Sequence, residues 1–315
     1  MEEHNGQFKV IFRGIRGSYP VSSPDFIKYG GNTSCVEIRV NGYSVILDAG
    51  TGIIKVGNEL VREYLSSGSS NDNRTPVKAV LLFSHAHHDH IQGFPFFKPV
   101  YINSSKVHMY GTMSVGLNFK DVMTQSMCSA FFPLDLNELA ANIEINNIKD
   151  TDTIILHPDY EEPKLIKIKS NDKYLIPEDA VVITCLKSYA HPKDGVMIYK
   201  IKYKGKSVVY ATDKESYIGG DLKLIAFASH TDVLIHDAQY TQEEYSSPIM
   251  PKQGFGHSTP EMAIETARLC NAKKLVLYHL DPSYDDNFIE RIEQNAIKQF
   301  KNACVAHEGL EIDLL

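Results

Sequence analysis

The chain has 315 residues, 43% of them apolar and 23% charged, and no segment of low complexity, which excludes collagenous, mucin-like and disordered classes and leaves a globular fold with a sizeable core. Its 39 acidic and 32 basic side chains give a net charge of -7, which supplies no electrostatic footprint for tight nucleic-acid binding while allowing a small anionic substrate held by local charges. The absence of any run of about 18 apolar residues and of a hydrophobic N-terminal region excludes a membrane span and a secretory signal, so the expected compartment is the cytoplasm.

In chain order, strands are predicted over Phe8–Phe12, Cys35–Val40 and Ser44–Leu47, bounded by Gly, Pro and Asn turn signals. After the turn Asp48-Ala-Gly-Thr-Gly52, the spacing of Ile53, Val56, Leu60 and Leu65 predicts a helix. Val77–Phe83 is a nearly continuous apolar run, the pattern of a strand covered on both faces. Residues 113–145 are harder to place: Met113–Met127 has helical character and Phe131–Leu134 reads as an apolar loop or flap. Further strands follow at Ile154–Leu156, Leu165–Ile168, Val181–Leu186, Val196–Tyr203 and Ser207–Tyr210. Helices and strands then alternate: helix Asp221–Ser229, strand Val233–His236, helix Pro260–Cys270, strand Lys274–His279 and helix Asp286–Asn302. Pro260 after Ser258 and Thr259 fits a capped helix start. Each half runs β-rich and then helical, with no linker between them. The expectation is therefore an α/β protein, a single domain over 1–315, built as a four-layer αββα sandwich of two similar halves.

Five cysteines, Cys35, Cys128, Cys185, Cys270 and Cys304, are odd in number and form no CxxC pair, which argues against disulfides and a thiolate zinc site. The chemistry lies elsewhere. Within six residues the sequence holds His85-Ala-His87-His88-Asp89-His90, directly after the buried strand. Imidazole with carboxylate suits Zn, Mn or Fe, and on a loop His85 and His87 can face one ion while Asp89 and His90 turn to a second. A strand's C-terminal end puts such a group at a mouth and not inside the core.

This box, matched at His85, His87, Asp89 and His90, resembles that of the metallo-β-lactamase superfamily of hydrolases. Counterparts of its later ligands follow in order: His191 in Tyr-Ala-His-Pro, Asp213 in Tyr-Ala-Thr-Asp and His279 in Leu-Tyr-His-Leu, each after an apolar run. Asp48 resembles the family's first motif, which supports the metal loop from behind. The resemblance implies two divalent transition-metal ions, zinc first and manganese or iron(II) as alternatives. His85, His87 and His191 would hold one ion, Asp89, His90 and His279 the other, and Asp213 would bridge. A shared water deprotonated near neutral pH would be the nucleophile.

His236-Asp237-Ala238 at a strand end and Gly256-His257-Ser-Thr-Pro260 before a helix resemble the ribonuclease Z and cyclic-phosphodiesterase branch. By that resemblance His257 protonates or stabilises the leaving oxygen and Asp237 orients it, with Asp where ribonuclease Z typically has Glu. The catalytic residues are then Asp89, His257 and Asp237. Gly14–Pro20 and Tyr29–Ser34 also look like segments of bacterial stand-alone members, and Arg13 or Arg16 could pair with a phosphate. A tRNA-processing member would carry a long basic arm between the third ligand and the bridging aspartate. Only 21 residues separate His191 from Asp213, and they read as strands. The expected partner is a small anionic phosphodiester, a cyclic nucleotide or ribose cyclic phosphate, with no stable nucleic-acid complex and no membrane, and with a homodimer allowed. A lactone or thioester hydrolase, or a metal-dependent sensor, are the alternatives.

Overall fold

The computed structural model describes residues 6–167, 176–217 and 219–315. The first half supplies β1 (Phe8–Gly14), β2 (Cys35–Val40), β3 (Tyr43–Leu47), helix α1 (Ile53–Ser66), β4 (Lys78–Leu82), the single turn α2 (His88–Ile91), β5 (Lys106–Gly111), α3 (Phe119–Ser126) and β6 (Asn142–Asn147). The second supplies β7 (Asp152–Leu156), β8 (Lys164–Lys167), β9 (Val181–Ser188), β10 (Val196–Tyr203), β11 (Lys206–Ala211), α4 (Leu222–Phe227), β12 (Val233–Asp237), α5 (Gln242–Tyr245), α6 (Pro260–Leu269), β13 (Lys274–Tyr278), α7 (Asp286–Gln299), β14 (Ala303–Val305) and β15 (Glu311–Asp313).

These strands form two mixed sheets, ordered β15-β1-β2-β3-β4-β5-β6 and β14-β13-β12-β11-β10-β9-β7-β8. The period of two in β1 explains how the layers form: Phe8, Val10 and Phe12 enter the core between the sheets, while Arg13 on the outer face is held by Glu37 and Glu59. β4 is apolar on both faces because Val80 and Leu82 face the other sheet, whereas Ala79 and Leu81 lie under Ile53, Val56 and Leu60 of α1. Across the second sheet, Ala263, Ile264 and Ala267 of α6 and Ile289 and Ile292 of α7 complete the outer layer. The sandwich agrees with the sequence expectation.

Three tyrosines of the second sheet reach across to the first and donate from fully buried hydroxyls. Tyr199 donates to the Phe83 carbonyl at 2.6 Å, Tyr210 to Asp48 at 2.8 Å and Tyr278 to the Gly14 carbonyl at 2.8 Å. The Phe83 and Asp48 acceptors adjoin the histidine box, so there sheet packing and site geometry are fixed by the same contacts.

Several elements differ from the sequence expectation, and α5, β14 and β15 are short additions to it. The box is not all loop: residues 88–91 close one helical turn, with His87 at its N-terminus. Of Met113–Met127 only Phe119–Ser126 is helical, capped by Asn118, which accepts from Asp121 N. β5 and β6 were not predicted; β5 alternates polar Lys106 and His108 with apolar Val107 and Met109 over too short a run to stand out, and β6 is a polar edge strand. The predicted strand at 165–168 ends at Lys167, and Ile168 lies outside the described residues. No helix among the described residues is long and apolar enough to cross a membrane.

Candidate metal centre

Strand direction gathers the predicted ligands at one rim. β11, β12 and β13 run parallel, and β9 shares their direction because β10 is antiparallel to both β9 and β11. Their carboxyl ends therefore bring His191, Asp213, Asp237 and His279 to one edge, and the parallel pair β3 and β4 brings Asp48 and the box to the edge facing it. Asp48, Asp213 and His279 have φ of 60°, 50° and 60°. A left-handed backbone costs a non-glycine residue on the order of 1 kcal/mol or more, and such strain is retained where side-chain contacts overdetermine it.

Asp48 shows how. Its carboxylate accepts from Ser84 N at 2.7 Å, Ser84 Oγ at 2.8 Å, His90 Nδ1 at 2.8 Å and Tyr210 OH at 2.8 Å. With Nδ1–H of His90 spent on Asp48, its Nε2 lone pair points into the cluster. The same logic holds at three other rings. His279 Nδ1 donates to Gln239 Oε1 at 3.0 Å, His191 Nδ1 to the Gly256 carbonyl at 3.1 Å, and His85 Nδ1 to Ser84 Oγ at 3.0 Å. Two of these contacts require glycine next door. A Cβ on Gly17 would stand 2.5 Å from the His279 ring, and one on Gly256, at φ 89°, would stand 2.2 Å from His191 Nδ1.

The donor atoms fall into two groups, each within 4.8 Å: His85, His87 and His191, and Asp89, His90, Asp213 and His279. His191 Nε2 lies 3.2 Å from His87 Nδ1, and His90 Nε2 lies 3.2 Å from His279 Nε2. Metal–nitrogen bonds of about 2.0–2.1 Å separate two donors on one tetrahedral ion by about this much. Asp213 faces both groups. Its Oδ2 is 3.2 Å from His90 Nε2 and 3.3 Å from His279 Nε2, and its Oδ1 is 3.6 Å from His85 Nε2 and 4.0 Å from His191 Nε2. His85 Nε2 is buried and has no hydrogen-bond partner. In the three-histidine group, opposed lone pairs and the orphaned His85 nitrogen are unfavourable unless a cation stands among them. The residues thus fit two divalent ions, and the exposed ring of His87 leaves the mouth open to solvent.

The protonation states of the two groups differ. Burial pushes His85, His87 and His191 below the usual imidazole range, and neighbouring rings add to it. At His90 and His279 burial also opposes charge, but the carboxylates of Asp213 and Asp89 outweigh it and raise both rings. Burial works to raise Asp213 and Asp89 in turn, and the surrounding imidazoles hold both well below the carboxylate range.

Beside the ligands stands the second predicted pair. Asp237 Oδ2 accepts from His257 Nδ1 at 2.8 Å, and its Oδ1 accepts from Ser258 N at 2.7 Å. The His257 ring stacks on His279 with centroids 5.1 Å apart and 9° between planes, and lies 5.1 Å from His191. A nitrogen of His257 falls within 4.8 Å of His191 and Asp213 donors. All nine predicted site residues converge on this rim, whereas His88 is exposed and lies outside both groups.

The expectation that Arg13 or Arg16 pairs with a phosphate is corrected. The Arg13 guanidinium is saturated by Glu37 and Glu59 on the far face of the sheet. Arg16 is fully buried and donates to the carbonyls of Gly30, Asp281 and Tyr284, which fastens the N-terminal segment to the turn after His279. That segment contributes through its backbone: Ser18 N donates to Asp89 Oδ2 at 2.8 Å. Asn32 and Thr33 likewise serve structure, binding Glu308 and Thr51. Sequence reasoning missed Ser84, Gln239 and Tyr210. Ser84, adjacent to the box, was the one with a readable signal.

A family model described as Beta-lactamase superfamily domain matches residues 43–280. A ribonuclease Z of Prochlorococcus marinus (strain MIT 9312) is 27% identical over 277 residues, covering 78% of this chain and 85% of its own length. A ribonuclease Z of Picrophilus torridus is 25% identical over 328 aligned positions, covering 98% and 96%. Among solved structures, the metallo-β-lactamase fold protein YhfI from Bacillus subtilis superposes with a TM-score of 0.65 at 17% identity over 98% of this chain and 99% of that one, which shows a common fold. With the model spanning most of the chain, including every residue of the rim, the protein belongs to the β-lactamase superfamily, with the metallo-β-lactamase fold and on its ribonuclease Z-like branch.

Proposed function

We propose that this metal-dependent hydrolase cleaves small phosphodiesters, cyclic nucleotides or ribose cyclic phosphates, at the rim defined by His85, His87, Asp89, His90, His191, Asp213 and His279. Two divalent ions bound there would supply Lewis acidity toward the phosphoryl oxygens and an activated water. The protein's own part is positional. Asp48, Gln239 and the Gly256 carbonyl fix the ring tautomers, so the donor atoms converge before an ion arrives.

The observation that carries the phosphodiester reading is the His257–Asp237 bond of 2.8 Å, one ring-stack away from His279. Alkoxide is a poor leaving group, and its departure is eased by a proton from a nearby acid. With Nδ1–H held by Asp237, His257 is oriented to deliver a proton from Nε2 to the departing oxygen and to share the resulting charge change with Asp237. Lactones and thioesters do not require that pairing. The preference for small substrates is supported by the net charge of -7 and by the hairpin of β10 and β11, which fills the span between His191 and Asp213. Relatives named ribonuclease Z favour a second reading, cleavage of an RNA 3′ extension, for which a tRNA precursor is the discriminating substrate.

The deciding experiment compares His257→Ala with the parent protein on two diesters at equal metal content. Turnover of an alkyl phosphodiester is expected to fall by about 100-fold, the scale of general acid catalysis. A p-nitrophenyl ester, whose leaving group departs without a proton, is expected to lose far less. Equal losses on both would assign His257 to binding or structure, and no loss on either would return the lactone and thioester readings.

A further inference from the structure

The segment between α5 and α6 carries a cation that the chemistry above does not use. Lys252 is half-buried, with its Nζ 5.3 Å from the Tyr240 ring centroid and 5.4 Å from that of Phe255. The Tyr240 ring stands edge-on to His257 at 5.7 Å and 88°. The ammonium is therefore one aromatic ring away from the histidine assigned to the leaving oxygen. Among the described residues it has no carboxylate within ion-pairing distance, unlike Lys9, Lys106, Lys214 and Lys273.

The segment is also held in place. The Glu215 carboxylate, two residues beyond Asp213, accepts from Gly254 N at 2.9 Å, Gly256 N at 3.1 Å and Tyr245 OH at 2.5 Å. Phe255 remains 52% exposed on this clamped turn. Contacts with aromatic faces locate an ammonium without satisfying its three N–H donors. A located but unpaired cation, beside a half-exposed ring and one aromatic ring from His257, is preorganised for an anion.

We propose that Lys252 and Phe255 form a leaving-group subsite, which selects phosphodiesters whose leaving-side fragment, released from a linear diester or retained on the opened ring of a cyclic one, carries a second anion that a simple alcohol lacks. This rests on the phosphodiester reading and on the assignment of His257 to the leaving side. Lys252 gives the anion a charge-assisted hydrogen bond, and Phe255 covers the planar part of the fragment.

The test uses methyl 4-carboxyphenyl phosphate and methyl 4-carbamoylphenyl phosphate, which differ by one charge on the leaving ring. The quantity read is the ratio of kcat/KM for the two, so a general loss of activity cancels. The metal-loaded protein is expected to favour the carboxylate by about 10-fold, the scale of one hydrogen bond to a charged group. Lys252→Met should bring the ratio close to 1 and Lys252→Arg should retain most of it. An unchanged ratio in Lys252→Met, or no preference in the parent protein, would overturn the subsite. Hydrolysis of neither ester would count against the phosphodiester reading itself. The subsite is then judged by calorimetric binding of 4-hydroxybenzoate against 4-hydroxybenzamide: a preference lost in Lys252→Met supports it, and equal binding by both proteins overturns it.

Discussion

The two donor groups on the rim differ in how the protein prepares them. One is made of three imidazoles, His85, His87 and His191, which burial and mutual repulsion keep neutral, so their lone pairs are ready for a cation. The other mixes carboxylates with imidazoles: Asp89 and Asp213 draw protons onto His90 and His279, and those protons must leave before an ion can enter. The supports differ as well. His191 is oriented by a backbone carbonyl, which no side-chain substitution removes, whereas His279 depends on the Gln239 side chain. The neutral group is thus prepared by desolvation, with one main-chain and one hydroxyl support at His191 and His85, whereas both rings of the charged group lean on a carboxylate or amide side chain.

The largest expected effect comes from the residue the groups share. Asp213→Ala should empty both groups, seen by elemental analysis, and lower turnover by about 1,000-fold or more, as when a member of a catalytic unit is removed. His88→Ala, exposed and outside both groups, should retain its metal. Equal metal loss in the two variants, or loss of only one ion in Asp213→Ala, would break the picture of a shared carboxylate.

A smaller effect separates the supports. Gln239→Ala should weaken metal binding at the charged group by about 10- to 100-fold, the usual cost of losing an outer partner of a metal-bound histidine. Binding at the neutral group should change little. A competitive chelator titration that shows both ions weakened alike would mean the groups cannot be treated separately.

The last prediction concerns pH. His90 and His279 have raised pKa values, so in the absence of an ion they hold protons above the ordinary imidazole value of 6.5. Metal affinity at the charged group should therefore fall as pH drops through that raised range, by about 10-fold per pH unit for each proton displaced. The neutral group, with lowered values, should keep its affinity to below pH 6.5. Proton release during metal titration in weak buffer reads this directly, and His90→Ala should reduce the release. Unchanged release in that variant would place the displaced protons elsewhere.

What could be read from the sequence followed from local rules. The strand period in Phe8–Phe12, the double-faced run of β4 and the close spacing of the box were legible because each is a pattern within a few residues. Gln239 was not, because a glutamine has no spacing signature; its role arises only when β12 places it against a ring at the end of β13. Tyr210 was hidden for a similar reason, since its hydroxyl finds Asp48 across the sandwich. The arginines misled because a charge near a motif says nothing about which face of the sheet it occupies. In β1, Arg13 falls on the outward parity and is met by Glu37.

β15 bears on the order of events during synthesis. It pairs antiparallel to β1, matching Lys9 with Asp313 and Ile11 with Glu311, so among the described residues the earliest strand is flanked on one side by the latest. Until residue 313 has been translated, β1 keeps an open edge. The turn after His279, to which Arg16 is fastened, is also absent until late, which leaves the Gly17–Ser18 backbone without its anchor. A nascent chain can therefore complete the histidine box early yet cannot assemble the full rim around it until His279 and the turn after it have emerged. In chain order the neutral group is complete at His191, and the charged group waits for His279.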